Sequence, residues 1–544
     1  MADIRKPSVV FQPNAHEGMQ KGFNQMLNVI RPTLGPFPRI VAYERGMKDK
    51  APELLDDGGV IMRRIIQLPG QTEDAGAMFI RQVLWRLHKR SGDGTATAAV
   101  LFQAVYNEGL RFIAAGGNAM LLRRYLEEGL NQILEHLDRM TITIEGRSRK
   151  KYLAQVAQTI CYDPPMANIL GEIFDVIGEY GRMDIRSGQG RVLDREYVEG
   201  MYWKGNLLSR TMITDPSRSR ADVENAAILI TDMDIQDPRD LVPAFSHAVK
   251  DKVKTMFIVA QKLSDEALSF INHEKTKEKL QVIAAKTPGV GLTDQVNVLQ
   301  DMAILTGGQA LTRHAGQTLR DVQASDLGRA RRVWADKFNF GLSGGGGDPR
   351  QVREHIARLR EAYRDSTDTE ARESLQERIG KLLGGSATFW VGGTTKSEIE
   401  ARKELAKRTG QALRGAVIEG ILPGGGVALL NCRQMLQEHL AQSDVADQKA
   451  AYRILLRAIE EPIRTLLSNG GFEPSEVLGE IEQAKAGSGF DLQSQKVVDM
   501  IEAGVFDVAT VQKDAVRSAI TSAALALTID VMIHHKKPEE SMEP

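Results

Sequence analysis

The stretch Ser91-Gly92-Asp93-Gly94-Thr95-Ala96-Thr97 places two glycines around an acidic residue and continues directly into an apolar helix pattern over 98–101. Because the glycines lack a Cβ, the backbone can approach a ligand closely, and the free N–H groups at the following helix start attract anions. Asp93 offers a hard oxygen to Mg²⁺. Thr95 and Thr97 can cap the helix or turn their hydroxyls towards phosphate oxygens. By itself the stretch fits either a phosphate and metal site or a capped helix start with a solvated aspartate.

Bulk properties indicate a globular chain of several domains. Its 544 residues exceed one ordinary core and favour three or four domains. Hydrophobic residues make up 42%, charged residues 26%, and the formal net charge is −1, so neither nucleic-acid binding nor binding to an anionic membrane is expected. Cys161 and Cys432 lack metal-ligand spacing and are predicted to be buried free thiols in a reducing compartment. We expect a cytoplasmic protein, because no secretory signal is visible at the start of the sequence.

Hydrophobic periodicity separates helical ends from an α/β middle. The helix predicted over 119–139 has Leu122, Leu126, Leu130, Ile133 and Leu137 on one face. Short apolar runs at 226–230, 255–259 and 280–284 alternate with helical patterns, which is typical of an α/β module. The apolar run 520–533 is too short to span a membrane and is predicted to be a buried helix. The simplest arrangement inserts the middle domain into a helical domain built from both termini.

Seven motifs in a fixed order then give a resemblance to the bacterial-type (group I) chaperonins over nearly the whole chain. They are Thr33-Leu34-Gly35-Pro36, Ala51-Pro52 with Asp57-Gly58, Gly92-Asp93-Gly94-Thr95, Glu199-Gly200-Met201, Leu299-Gln300-Asp301 with Leu305-Thr306-Gly307-Gly308, Val391-Gly392-Gly393-Thr394, and Gly424-Gly425-Gly426-Val427-Ala428-Leu429. Each motif is weak alone, and their order and near-constant spacing together indicate a common fold.

The resemblance implies a mixed α and α/β subunit of three domains. A mainly helical equatorial ATP-binding domain would comprise 1–139 and 419–544, a small intermediate domain 140–198 and 387–418, and an inserted α/β apical substrate-binding domain 199–386. Such subunits assemble into rings that use ATP to capture and enclose non-native polypeptides. A homo-oligomeric ring of seven subunits is the expectation, while the sequence leaves the subunit number and the choice of one ring or two open.

The resemblance also assigns roles to residues of this sequence. Contacts to ATP are expected from Thr33, Leu34, Gly35, Pro36, Asp57, Asp93, Gly94, Thr95, Thr97, Gly425, Asp491 and Asp507. Asp93 would hold Mg²⁺, and Asp57 matches an acidic residue of the hydrolytic centre. Contacts to polypeptide substrate are expected from the apolar residues Leu207, Met212, Val242, Phe245 and Leu268.

The sequence departs from the family pattern at the hydrolytic centre. Arg408 occupies the position of the family's second hydrolytic aspartate, and a cation cannot accept a proton or orient water as a carboxylate does. Near a γ-phosphate it would instead act as a clamp. Asp56 stands where the family usually has lysine, and Asp491 replaces the family's nucleotide-contacting asparagine. The hypothesis is that this chain binds Mg-ATP and hydrolyses it slowly or by an altered route; the alternative is a surface Arg408 with hydrolysis supported by Glu404.

Two polar residues alter the expected substrate surface. Asn272 and His273 fall where the family has β-branched aliphatic residues, so the apolar stripe that binds unfolded chains is narrower and use of a co-chaperonin is left open. A second function therefore stays open, a nucleotide-gated ring scaffold or holdase without productive ATPase cycling. A small-molecule enzyme is disfavoured, because the sequence has no Ser/His/Asp spacing, HExxH motif or metal-ligand cluster.

Overall fold

The computed structural model describes residues 8–36, 38–44, 52–179, 181–188, 190–199, 201–216, 219–289, 291–366, 368–383, 385–485 and 487–534. Two residues of the expected motifs, Ala51 and Gly200, lie outside these ranges. Backbone contacts divide the chain into two compact units. Unit 1 comprises Met1–Asp175, Ser187–Leu193 and Val391–Pro544, and unit 2 comprises Val176–Arg186 and Asp194–Trp390.

The N-terminal part of the chain is mainly helical. Its strands are β1 (Ser8–Phe11), β2 (Val41–Tyr43) and β3 (Glu53–Leu55). Its helices are α1 (Asn14–Ile30), α2 (Gly58–Arg64), α3 (Gln71–Ser91), α4 (Thr95–Ala114), α5 (Ala119–Met140), α6 (Arg149–Cys161) and α7 (Pro164–Ile177).

The middle part alternates strands and helices. Its strands are β4 (Arg182–Ser187), β5 (Asp194–Glu199), β6 (Met201–Lys204), β7 (Ala221–Thr231), β8 (Asp234–Ile235), β9 (Thr255–Ala260), β10 (Lys262–Leu263), β11 (Gln281–Lys286), β12 (Ala310–Leu311), β13 (Gly328–Ala335), β14 (Asn339–Gly345) and β15 (Gly385–Val391). Its helices are α8 (Val242–Lys250), α9 (Asp265–Asn272), α10 (Glu274–Lys277), α11 (Leu292–Thr306), α12 (Pro349–Asp365) and α13 (Thr369–Leu382).

The C-terminal part returns to helices joined by short strands. The helices are α14 (Lys396–Ile418), α15 (Val427–Leu430), α16 (Arg433–Gln442), α17 (Ala446–Asn469), α18 (Pro474–Gln483) and α19 (Ala509–Ala526). The strands are β16 (Ile421–Pro423), β17 (Ser488–Asp491), β18 (Lys496–Asp499), β19 (Phe506–Val508) and β20 (Val531–His534).

Helices from both ends of the chain form the core of unit 1. Helix α4 packs against α1, α17 and α19. The apolar stripe of α1 is buried there, and the Phe23 ring meets the rings of Phe102 and Tyr106 edge-on at centroid distances of 4.9 and 4.8 Å. The predicted stripe of α5 is buried in the same core. These contacts join residues that are far apart in sequence in one helical core.

A mixed sheet forms the centre of unit 2. Its strand order is β11-β9-β7-β13-β14-β6, with β12 also paired to β7. Strands β11, β9 and β7 are parallel, whereas β13, β14 and β6 continue the sheet in antiparallel pairs. Apolar side chains fill both faces, for example Leu229 on one and Ile228 on the other. Strands buried on both faces appear in sequence as continuous apolar runs, which is why all three were predicted.

The structure confirms the mixed α and α/β class and corrects one helix. The run 520–533 was predicted to be a single buried helix, and this is wrong: α19 ends at Ala526, and β20 pairs with β1. Val531 and Ile533 alternate outward in β20 and are exposed. Both cysteines are free and buried, as predicted. Within the described residues, no helix is long and apolar enough to cross a membrane. The boundaries of three domains stay a prediction.

Candidate functional site

The stretch 92–97 forms the junction between α3 and α4 in unit 1. Gly92 ends α3 with φ +72°, and Gly94 is the N-cap of α4 with φ +82°. A Cβ at Gly92 would lie 2.7 Å from the carbonyl oxygen of Arg408, and one at Gly94 would lie 2.9 Å from Cγ1 of Val511. The two glycines therefore adopt left-handed backbone conformations, and their lack of a Cβ lets the junction approach α14 and α19 closely. Because Gly94 occupies the N-cap, neither threonine of the stretch caps α4 with its side chain.

Asp93 lies at this junction, with its Oδ1 accepting a hydrogen bond from the Gly94 N–H at 2.7 Å. Burial raises the pKa of Asp93, and the neighbouring Asp57 carboxylate raises it further, while the Gly94 hydrogen bond and the charges of Arg408 and His88 act against the rise. The nearby positive charges and the Gly94 hydrogen bond therefore do not fully offset the cost of ionising Asp93. A bound cation would stabilise the ionised form of Asp93.

Asp57 has both of its oxygens engaged. It is the N-cap of α2, and its Oδ1 accepts from the Val60 N–H at 2.8 Å. The same oxygen lies 3.3 Å from Nδ1 of His88, and Oδ2 accepts from Nη1 of Arg408 at 2.9 Å. The carboxylate expected in the hydrolytic centre is therefore held by a cation.

Arg408 projects from α14 into this group and is not a surface side chain, being 16% exposed. Its Nη2 lies 3.6 Å from Oδ2 of Asp56. Burial disfavours its charge, but the carboxylates of Asp57, Asp56 and Asp93 outweigh burial and raise the pKa of Arg408 above its ordinary value. Its Nε is buried and donates no hydrogen bond within the described part of the chain.

The C-terminal half adds Asp507 and Asp491, in different situations. Asp507 lies in β19; burial, and then the charge of Asp93, raise its pKa to about 7. Asp491 ends β17 and accepts hydrogen bonds from the N–H groups of Gln493 and Ser494. Those bonds outweigh the effect of burial and hold the pKa of Asp491 below its usual range. Asp507 thus joins the cluster around Asp93, whereas the carboxylate of Asp491 stabilises its own turn.

Asn469, which the sequence analysis did not single out, holds the loop 31–36. Its Nδ2 donates to the carbonyl oxygens of Arg31 and Leu34, both at 2.9 Å. The Thr33 hydroxyl donates to the Ile30 carbonyl at 2.8 Å, so it is engaged within its own loop. Gly35 has φ +113°. Pro36, another expected ATP contact, follows Gly35 in the same loop. Gly425, an expected ATP contact from the C-terminal half, has φ +68°.

His88 is the second residue that sequence reasoning missed. It is 7% exposed, stacks on Trp85 at a centroid distance of 5.2 Å, and packs against the backbone of Gly59. Its Nδ1 has no hydrogen-bond partner among the described residues, despite its nearness to Asp57. No motif marks His88, because its position depends on how α2 packs on α3.

The family model of the TCP-1/cpn60 chaperonins matches residues 26–537, nearly the whole chain. The chain belongs to the TCP-1/cpn60 chaperonin family. Its fold is similar to that of the chaperonin gp146 from the bacteriophage EL 2 (Pseudomonas aeruginosa), crystallised in the presence of ATP-BeFx. Two crystal forms of gp146 match with TM-scores of 0.71 and 0.64, each over 97% of this chain and 99% of that chain at 19% identity. The expected family and fold class are confirmed.

In this chaperonin, the five apolar residues expected to contact substrate differ in exposure. Val242, on α8, is 45% exposed, and Leu207 and Leu268 are half-buried. Met212 and Phe245 lie in the core of unit 2, where Phe245 stacks on a neighbouring ring. Contact of these residues with substrate stays a prediction. Val242 has the largest exposed fraction of the five.

The two polar replacements lie at the end of α9. The Asn272 side chain donates from Nδ2 to Oγ1 of Thr211 at 3.1 Å, and His273 is exposed. An amide held in this way presents polar atoms where an aliphatic side chain would present carbon. A narrower apolar surface for substrate at that end stays a prediction.

Proposed function

We propose that this chaperonin is an ATP-dependent ring-forming subunit that binds Mg-ATP but hydrolyses it slowly. The observation that supports the proposal is the ion pair between Arg408 and Asp57, in the group that also contains Asp93 and Asp507. A site that receives a nucleotide needs close backbone approach and a cation-binding oxygen, and the 92–97 junction offers both.

Asp93 fits Mg²⁺ held together with a nucleotide. Within the described ranges, no group of three or more His, Cys, Asp or Glu residues could hold a metal ion alone. Mg²⁺ in such sites is bound by one or two carboxylates together with phosphate oxygens. When bound, the ion would neutralise phosphate charge; Asp93 would be its protein ligand. The raised pKa of Asp93 means that its ionised form gains from a nearby cation.

Slow hydrolysis follows from the arginine at position 408, beside Asp57, where a second acid would be needed. With one hydrogen bond to each oxygen, Asp57 keeps lone pairs that could orient water, but position 408 supplies a cation and not a second carboxylate that could accept the proton. Arg408 itself has no proton-accepting atom. The chain therefore supplies electrostatic stabilisation of a terminal phosphate more readily than it supplies a base.

Steady-state phosphate release from Mg-ATP tests this proposal. We expect low turnover in the wild type and at least about a tenfold increase in Arg408→Asp, which supplies a second carboxylate. Arg402→Asp makes the same charge change on the same helix and should leave turnover low. Wild-type turnover comparable to that of an ordinary chaperonin, abolished by Asp57→Ala, would contradict slow hydrolysis.

Ring assembly and client enclosure belong to the same proposal. One face of the ribbon formed by β1 and β20 exposes Val9, Phe11, Val531 and Ile533, since cross-strand partners and alternate residues share a face. Exposed apolar surface of this kind favours contact with another copy of the chain. We propose seven subunits per ring, non-native polypeptides as clients and a cytoplasmic location.

A nucleotide-gated scaffold or holdase is the second candidate. It is favoured by the Arg408–Asp57 pair together with the polar Asn272 and His273. Refolding of a denatured client with and without ATP separates the two functions. Recovery of active client that depends on ATP supports the folding chaperonin, whereas suppression of aggregation without ATP and without recovered activity supports the holdase.

A further inference from the structure

The guanidinium of Arg408 has more donors than its present partners use. Nη1 donates to Asp57 at 2.9 Å, Nη2 lies 3.6 Å from Asp56, and the buried Nε has no acceptor among the described residues. A buried donor without an acceptor is costly, and a guanidinium has five N–H donors arranged for planar oxyanions. The group can therefore accept another anionic partner.

The backbone of Arg408 lies against the 92–97 junction. Its carbonyl oxygen would be 2.7 Å from a Cβ on Gly92, so α14 and the junction are in direct contact at this residue. On its other side the guanidinium meets Asp57 at the start of α2. A phosphate held at the junction would lie within the reach of this side chain, and Asp57 would compete with that phosphate for it.

We propose that Arg408 is a sensor of the nucleotide's terminal phosphate, which makes the site prefer ATP to ADP. The inference rests on the proposed Mg-ATP site. With ADP, Arg408 keeps its ion pair with Asp57; with ATP, the γ-phosphate takes over donors of the guanidinium, including those now paired with Asp57. Arginine suits this exchange because its planar fork binds phosphate through two parallel hydrogen bonds.

This role differs from slow hydrolysis, since it concerns which nucleotide stays bound. A site without a productive base still needs to distinguish the triphosphate from the diphosphate if it is to control a conformational change. Differential affinity is the only way in which a ligand shifts such an equilibrium. Arg408 would provide that difference through contact with the group that ADP lacks.

Calorimetric titration of the full-length protein tests the inference. The ligands are Mg-ADP and the Mg complex of a non-hydrolysable ATP analogue, and the proteins are the wild type, Arg408→Gln and Arg402→Gln. We expect Arg408→Gln to weaken the binding of the ATP analogue by about tenfold or more, and the binding of ADP by less than about threefold. Arg402, also on α14, pairs with Asp163, and Arg402→Gln should leave the ratio of the two affinities unchanged.

A second variant tests the same exchange from the opposite side. Asp57→Asn removes the competing charge but keeps an oxygen that can cap α2 through Val60. We expect Asp57→Asn to increase the affinity for the ATP analogue several-fold relative to the affinity for ADP. This arm also applies if Arg408→Gln does not fold, as judged by circular dichroism.

The possible results separate the two proposals. If the wild type binds neither nucleotide, the proposed nucleotide function fails and the inference falls with it. If both nucleotides bind and the ratio of their affinities is unchanged in Arg408→Gln or in Asp57→Asn, the inference alone is overturned. A ratio that moves equally in Arg402→Gln would also overturn it, because the effect would then be one of general charge.

Discussion

Asp507 illustrates how a single carboxyl makes stability depend on pH. Its folded-state pKa is about 7, against 3.8 for the unperturbed group, because burial and the charge of Asp93 oppose ionisation. Between about pH 4 and pH 7 the unfolded chain releases this proton while the folded chain retains it. The folded state therefore loses stability as the pH rises through this range, and the full cost applies above pH 7.

We predict that Asp507→Asn, which cannot ionise, stabilises unit 1 more at pH 8 than at pH 5.5. The gain in the free energy of unfolding should be larger at pH 8 by about 1 kcal/mol or more, measured by urea unfolding without nucleotide or Mg²⁺. Asp491→Asn is the control: hydrogen bonds lower the pKa of Asp491, so its contribution to stability is complete above about pH 4, and its loss should be equal at pH 5.5 and pH 8. A stabilisation by Asp507→Asn that is equal at both pH values would disprove the assignment.

At the same scale, the sequence identified the acidic residues of the candidate site but not their partners. Asp57 and Asp93 were expected there from motifs, and the structure brings both to Arg408. The ion pair itself spans 351 positions along the chain, so no local pattern could indicate it. His88 was missed for the same physical reason, since its contact with Asp57 depends on the packing of two helices.

At the scale of elements, the junction of α3 and α4 depends on a glycine for two separate reasons. Gly92 has a left-handed φ of +72° and no room for a Cβ beside the carbonyl of Arg408. Gly178 follows α7 with a similar φ of +69°, but nothing lies within 4 Å of a Cβ built there. The two glycines share the backbone conformation and differ in the neighbouring atoms.

We predict that Gly92→Ala destabilises the protein more than Gly178→Ala does. An alanine in left-handed backbone lowers the free energy of unfolding by about 1 kcal/mol at either position. At Gly92 the clash with α14 should at least double this loss. Urea unfolding followed by circular dichroism measures both variants under the same conditions. Equal losses would mean that the close approach of α14 to the junction is unimportant for stability.

Elements with a regular apolar period were predictable, and those made by distant pairing were not. Helix α5 spans Ala119–Met140 where 119–139 was expected, because its stripe and its ends are local features. The run 520–533 misled because α19 stops at Ala526 and β20 then pairs with β1 near the other end of the chain. A strand of four residues whose partner is about 520 positions away leaves no periodic signal in its own sequence.

For the molecule as a whole, the exposed apolar face of the β1–β20 ribbon is what the sequence did not predict. Val531 and Ile533 were expected inside a buried helix, yet they are exposed opposite Phe11 and Val9. With a net charge of −1, electrostatic repulsion between copies is weak. An apolar face on a molecule of small net charge is therefore a surface at which another copy would meet little repulsion.

We predict that Phe11→Ser reduces ring assembly. Phe11 is 63% exposed on the ribbon, so losing its ring costs little within one subunit and removes apolar area that a second copy would bury. Native mass spectrometry and size-exclusion chromatography, over a range of protein concentrations, should show the variant shifted at least about tenfold towards the monomer. Phe338→Ser is the matched control: Phe338 is 68% exposed in unit 2, beyond the ribbon, and its loss should leave the oligomer intact. Unchanged assembly in Phe11→Ser, or an equal shift in Phe338→Ser, would contradict a role for the ribbon. The mass of the wild-type oligomer gives its subunit number and so tests the proposed ring of seven independently.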